Sequence, residues 1–385
     1  MIYLSARVRR EFLDALAGIR QGSLALSTPE DDALMFGTGE PAADLQITDW
    51  SVVTALAARG DIGLGETYVA GLWHTSSIEK LAQMALLNRD QLAGFSYADR
   101  WNQLRYRIAD RVLRANSLRG AARNIRAHYD VGNAFYQLWL DPSMTYSSAL
   151  FAPGDTDLYR GQLRKYDRIL NRIGNAENVL EVGCGWGGFA ERAAGEGRRV
   201  TGLTLSPAQK GYADARLDGR AEIRLQDYRS TEGRFDAVVS IEMIEAVGEA
   251  YWPAYFATLK ARLAEGGRAV IQAITVPDAY FSIYRAGTDY IRRYTFPGGM
   301  LASTAVLVDQ ARRAGLEAAT PFAFGDDYAE TLRMWSARMS EAAPRIRRLG
   351  HDEAFLRSWK FYLEICAAAF ATGHTDVLQL ELQHA

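Results

Sequence analysis

Cysteine is nearly absent: the chain has two, Cys184 and Cys366, in 385 residues. Neither sits in a CxxC pair, so no metal site and no disulfide framework is expected. A reducing compartment is the simpler expectation. No apolar run approaches the roughly 18 residues of a membrane span. The first ten residues carry Arg7, Arg9 and Arg10 where a secretion signal would be apolar. The expected location is therefore cytoplasmic. An excess of one charge is missing too: the formal net charge is -2, so no global basic field draws the chain to nucleic acid. What is there is 48% hydrophobic and 23% charged, the mixture of a folded protein. The length suggests a large domain plus a smaller one.

The chain reads in three parts. Residues 1–95 mix short helical and extended patterns, punctuated by Gly60, Gly63, Gly65 and Gly71, and form a small N-terminal domain. Residues 96–127 form a basic helical linker. From Arg100 to Arg126 there are eight arginines against one acid, Asp110, while Trp101, Leu104, Ile108 and Val112 recur at helical spacing. Such a helix either packs as a solvated linker or meets an anionic membrane surface, where each basic residue contributes about 1 kcal/mol. Residues 128–385 form the catalytic domain.

Within it, strands alternate with helices. Strands are expected at 178–182, 199–205, 221–225, 235–240 and 268–274, with Gly266-Gly267 closing the helix before the last of these. A final strand is expected at 376–383. Helical insertions near 277–296, 327–342 and 353–371 should cover the carboxyl ends of the strands. This order predicts an α/β fold with a mostly parallel sheet and right-handed crossovers.

The turn after the first of these strands runs from Glu181 to Gly188, with glycines at 183, 185, 187 and 188. Glycine lets backbone amides approach a ligand, and the next helix start offers free N–H groups. Dinucleotide enzymes use such a turn too, but place an acid at the end of the second strand for the ribose. Here Thr204, Leu205, Ser206 and Gln209 stand there instead. Glu181, two residues before the first glycine, can order the loop and face an amino group. These features favour S-adenosylmethionine as the ligand, and a Rossmann-like class I methyltransferase sheet.

Several runs then make a resemblance visible. They are His128 to Asn133, Asp141 to Ser147, Val179 to Gly188, Gln226 to Arg229, Met243 to Gly248, Phe296 to Leu301 and Phe324 to Trp335. In this order the chain resembles the cyclopropane-fatty-acyl-phospholipid synthase and mycolic-acid methyltransferase family over nearly its whole length. The resemblance implies methyl transfer to a carbon–carbon double bond of an acyl chain in a membrane phospholipid, through a carbocation. Loss of a proton from the new methyl closes a cyclopropane; loss from a neighbouring carbon leaves a methyl-branched, methylene or diene product, the last a furan fatty acid precursor. The resemblance places Tyr146, Ser147, Gly183, Gly185, Thr204, Leu205, Gln209 and Asp227 at the donor, with Glu181 beside them. It implies a bicarbonate base held by a glutamate, a histidine, a tyrosine and the backbone at a cysteine and an isoleucine. Glu245, Tyr328 and Ile274 match three of these.

Three positions depart from the pattern. Ser148 stands for the cysteine, Gln272 for the histidine, and Ala246 for the histidine after Glu245. Gln272 can donate a hydrogen bond but carries no charge. Glu245 acting directly as the base is therefore an alternative to bicarbonate. His128 orders the donor loop or satisfies a backbone carbonyl. A soluble small-molecule acceptor, or a non-catalytic donor- or lipid-binding chain, are the competing readings. The resemblance also suggests a homodimer, and a peripheral position at the inner face of the cell membrane.

Overall fold

The computed structural model describes residues 2–30, 32–96 and 131–385. The arginine-rich segment and His128 lie outside the described residues.

The small domain opens with helix α1 (Ile2–Ala17) and strands β1 (Gly22–Ser27), β2 (Ala33–Thr38) and β3 (Ala42–Ile47). Helices α2 (Ser51–Arg59) and α3 (Asp61–Val69), strand β4 (Trp73–His74), and helices α4 (Ile78–Leu87) and α5 (Ala93–Ser96) follow. Its sheet has the order β2-β1-β3-β4. Alternation in β1 buries Leu24 and Leu26 against Phe12, Trp73 and Met84.

The catalytic part begins with α6 (Asn133–Tyr136) and α7 (Leu158–Ile173). Then come β5 (Asn178–Val182), α8 (Gly188–Gly195), β6 (Arg199–Thr204), α9 (Pro207–Leu217), β7 (Glu222–Leu225) and β8 (Phe235–Ile241). They are followed by α10 (Trp252–Arg262), β9 (Leu263–Val276), α11 (Asp278–Ala286), β10 (Ala302–Ser303), α12 (Thr304–Arg313), β11 (Leu316–Ala318) and β12 (Phe322–Ala323). The chain ends with α13 (Gly325–Arg348), α14 (Glu353–Ala371) and β13 (Asp376–His384).

The large sheet has the order β11-β13-β9-β8-β5-β6-β7, with β5 to β9 parallel and β13 antiparallel to β9. Parallel strands covered by helices on both faces are largely apolar, and four of the five residues of β5 are buried, Glu181 the one acid among them. The chain leaves β5 towards β6 and β7, then returns to β8 on the other side. That reversal opens a crevice at the carboxyl ends of β5 and β8, where ligands bind in such sheets.

One boundary differs from expectation. Gly266-Gly267 does not close the helix; α10 ends at Arg262, and β9 starts at the fully buried Leu263. The pair Phe235–Leu263 precedes Ala237–Arg268, so the glycines lie in a bulge of β9. Gly266 has φ +74°, and a Cβ on Gly267 would lie 2.6 Å from the Asp236 carbonyl.

The small domain is docked on α14. Arg357 donates to the carbonyls of Tyr68 (2.6 Å) and Trp73 (3.1 Å), and Glu364 accepts the Ile78 N–H at 2.9 Å. Phe361 is fully buried, its ring 5.8 Å from Tyr68 and 4.8 Å from Tyr290. A side chain at Gly65 would meet the Tyr290 ring at 2.3 Å, so glycine there permits the close approach.

Candidate active site

The crevice is lined from β5 by Glu181, Gly183 and Gly185, from β6 and its turn by Thr204, Leu205 and Gln209, and beyond β7 by Asp227. Gly183 has φ +84°, and an added Cβ would lie 2.7 Å from Met243 Cγ. Glycine is thus required there by both conformation and space. Gly187 and Gly188 start α8, whose free amides face the crevice end.

Glu181 is buried, and burial pushes its carboxyl up to about 8, opposed by Lys165 and the Ala190 N–H. Its Oε2 has no hydrogen-bond partner among the described residues. A ligand ammonium would satisfy that acceptor. Thr204 donates to Gln209 Oε1 at 2.8 Å, and Ser206 caps α9 ahead of Pro207. Asp227 is held by Arg229 through Nε (2.9 Å), Nη2 (2.8 Å) and the backbone N–H (2.9 Å). This donor set, with its orphan acceptor and close-approach glycines, fits S-adenosylmethionine.

On the opposite wall stands the loop Met144 to Ser148. Tyr146 donates to the Tyr362 hydroxyl at 3.0 Å and lies 5.2 Å from the Trp335 ring and 5.7 Å from Trp139. Ser147 Oγ accepts from Lys165 Nζ at 2.6 Å. Lys165 comes from the buried face of α7 and also donates to Gln162 at 2.7 Å. Burial lowers its pKa to about 7, while Glu242, Asp141 and Glu181 act against that shift.

Three side elements converge on Glu242, at the end of β8. Its Oε1 accepts from the Ser148 N–H at 2.9 Å and from Gln272 Nε2 at 2.7 Å. Its Oε2 accepts from the Tyr328 hydroxyl at 2.6 Å. Gln379 on β13 donates to Gln272 Oε1 at 3.0 Å, which turns the Gln272 amide donor towards Glu242. Glu242 has φ +47°, an uncommon conformation for a non-glycine residue. Burial raises its pKa, with Lys165, Tyr328, Ser148 and Gln272 acting in opposition.

Glu245 lies one turn further on. Its Oε1 accepts the Ile274 N–H at 2.6 Å, and its Oε2 is buried without a partner among the described residues. Burial, then the neighbouring Glu242, push it up to about 8.

Residues 116–380 match the family described as mycolic acid cyclopropane synthetase. The chain belongs to that family. It is 37% identical over 367 residues to a tuberculostearic acid methyltransferase of Mycobacterium tuberculosis, covering 90% of this chain and 86% of the relative. It is 30% identical over 353 residues to the cyclopropane-fatty-acyl-phospholipid synthase of Escherichia coli, covering 89% of this chain and 88% of that one. The solved structure of the mycolic acid cyclopropane synthase CmaA1 complexed with SAH and CTAB matches with a TM-score of 0.64 at 29% identity, over 68% of this chain and 98% of that one. The protein is a member of the S-adenosylmethionine-dependent fatty-acid methyltransferases and cyclopropane synthases, with the class I methyltransferase fold and a small N-terminal sheet domain.

Within this family member, Tyr146, Ser147, Glu181, Gly183, Gly185, Thr204, Leu205, Gln209 and Asp227 all line one crevice. Ser148, Gln272 and Tyr328 meet, but on Glu242 rather than on Glu245. The donors that the resemblance assigns to a bicarbonate ion at these three positions are therefore occupied by a side chain of the protein. Glu242 and Lys165 escaped the sequence reading. Two signals pointed to them: an acid closing the apolar run Val238 to Ile241, and a lysine in the stripe Leu158, Gln162, Lys165, Ile169.

Proposed function

We propose that the enzyme methylates a carbon–carbon double bond in an acyl chain of a phospholipid, with Glu242 accepting the proton that leaves. Support for the acceptor comes from the relatives, one named a tuberculostearic acid methyltransferase and another a fatty-acyl-phospholipid synthase. The convergence of Ser148, Gln272 and Tyr328 on Glu242 carries the second half.

When bound, S-adenosylmethionine supplies an electrophilic methyl on a cationic sulfur. Glu181, Thr204, Gln209 and Asp227 would hold it, and the glycine turn would admit it. The alkene is a weak nucleophile, so alignment supplies much of the rate. Its π pair would form the new carbon–carbon bond to the donated methyl, the carbon–sulfur pair staying with the donor, and the neighbouring acyl carbon would be left a cation. The face of Tyr146, which lines the crevice, stabilises that charge.

A carboxylate offers about four lone-pair sites. Glu242 uses three on its own protein. The fourth is left for a proton from carbon. Three donors to the charged form keep Glu242 the ionised member of the pair, and Glu245, with one, the protonated member. The carbon–hydrogen pair becomes a new double bond, and the product is a methyl-branched unsaturated chain; if the hydrogen on the methylated carbon first shifts with its pair to the cation, loss of a proton from the new methyl gives the methylene chain instead. A bicarbonate ion is not needed in this scheme.

Labelled donor and a monounsaturated phospholipid, followed by mass spectrometry and NMR of the acyl product, test the product. A cyclopropane would refute that half. Glu242→Gln should lower kcat by roughly 10²–10⁴-fold, the usual worth of a general base, and leave donor affinity nearly unchanged. Undiminished turnover in the variant would remove Glu242 from the chemistry, and rate dependence on added bicarbonate would restore the ion.

A further inference from the structure

Helix α14 is a wall with two apolar sides. Tyr362, Cys366 and Phe370 belong to the catalytic side: Tyr362 receives the Tyr146 hydrogen bond, and the Phe370 ring lies 4.4 Å from Tyr328. One residue earlier in each turn, Phe361, Ile365 and Ala369 line a cavity of about 670 Å³ between the small domain and the catalytic part. Its other walls include Trp73 and Met84 from the small-domain core and Ile283 from α11. That volume falls in the range of roughly 300–1,000 Å³ typical of small-ligand pockets.

The charges at its edge are unequal in availability. Arg292 is closed onto Asp289 at 2.8 Å, and Arg59 onto Glu66 at 2.8 Å. Arg89 is 41% exposed, 3.8 Å from the still more exposed Asp90, and packs over Tyr280. It offers a cation at the edge of a mainly apolar chamber, whose lining also holds His374 and Asp61, the latter accepting the Tyr290 N–H at 2.9 Å. The half-exposed Ile283 adds apolar surface there. An acyl body with an anionic head matches this layout. One hydrocarbon chain cannot pass through a helix, but a two-chained lipid can straddle it.

We infer that the chamber takes the second, non-reacting acyl chain of a diacyl phospholipid, with the phosphate near Arg89, while the reacting chain lies on the catalytic side of α14. This rests on the reading that the acceptor is a phospholipid acyl chain. It makes the lipid's second chain a determinant of specificity, and it gives the small domain a share in substrate selection.

Two readouts separate this inference from that reading. The first is direct binding. A diacyl phosphatidylglycerol whose chains carry bromine in place of the double bond should quench Trp73, which is fully buried on the chamber wall. The quenched component should vanish in Trp73→Phe and weaken in Ala85→Phe and Ala369→Phe, which narrow the chamber from opposite walls. The second is kinetic: the preference for dioleoyl over mono-oleoyl phosphatidylglycerol, measured as a ratio of kcat/KM, should fall about 10-fold or more in both alanine variants. Using two variants guards against one failing to fold. Quenching without methyl transfer would uphold the chamber and overturn the acceptor. Methyl transfer without Trp73-dependent quenching, or an equal loss on both lipids, would overturn the chamber.

Discussion

Replacing Glu245 by glutamine should change how the stability of this protein depends on pH. The carboxyl of Glu245 titrates near 8 in the folded chain, against an ordinary value of 4.5. Between those values the folded chain keeps a proton that the unfolded chain has released. Stability therefore falls as pH rises through this window, by about 1.4 kcal/mol per pH unit for one group. The full penalty above pH 8 is roughly 5 kcal/mol. It is a ceiling, because Glu245 is only partly buried. Glutamine retains the oxygen that accepts the Ile274 N–H and cannot ionise. At about pH 4, below the unfolded value, the carboxyl is mostly protonated in both the folded and the unfolded parent, so the variant and the parent should be nearly equal in stability. By about pH 8.5 the variant should be more stable by several kcal/mol. Urea unfolding followed by circular dichroism across that range measures the difference directly. Glu181 and Asp61, which also titrate high, contribute to both proteins and cancel. Two stability curves that run parallel from acid to alkaline pH would refute the assignment of Glu245 as the protonated carboxyl.

Gly183→Ala should abolish donor binding in calorimetry while the chain still folds, since the added methyl meets Met243 at 2.7 Å beside the crevice and φ is +84°; unchanged affinity would place the donor elsewhere. Lys165→Met removes the one cation among the described residues that faces Glu242, Asp141 and Glu181, and should destabilise the protein by about 3–5 kcal/mol in urea unfolding near neutral pH. A variant as stable as the parent would mean that the three acids do not depend on it.

The parallel strands were legible because a strand covered on both faces is a mainly apolar run, as Val179 to Val182 and Ala237 to Ile241 show, interrupted only by Glu181 and Ser240. The donor crevice was legible because close-approach glycines must sit between a strand and a helix. Gly266-Gly267 misled because the same dipeptide that ends a helix also fits a bulge. The Glu242–Glu245 pair could not be resolved from sequence: two acids three residues apart are equivalent until the backbone turn at Glu242, with its positive φ, brings Glu242 to Ser148, Gln272 and Tyr328 and leaves Glu245 on the Ile274 N–H. Lys165 was hidden by its own chemistry, since a lysine in a helix ordinarily reads as a solvated face.

The docking of the small domain also sets what can be cut away. The segment that matches the family, residues 116–380, contains α14 but neither Tyr68 nor Trp73. A chain trimmed to that segment would present Phe361, Ile365 and Ala369 to water as a fresh oily stripe, and Arg357 would lose both carbonyls it holds. The catalytic half of this molecule is thus not a portable module. Any shortened descendant would have to repaint one face of a single helix before it could live alone.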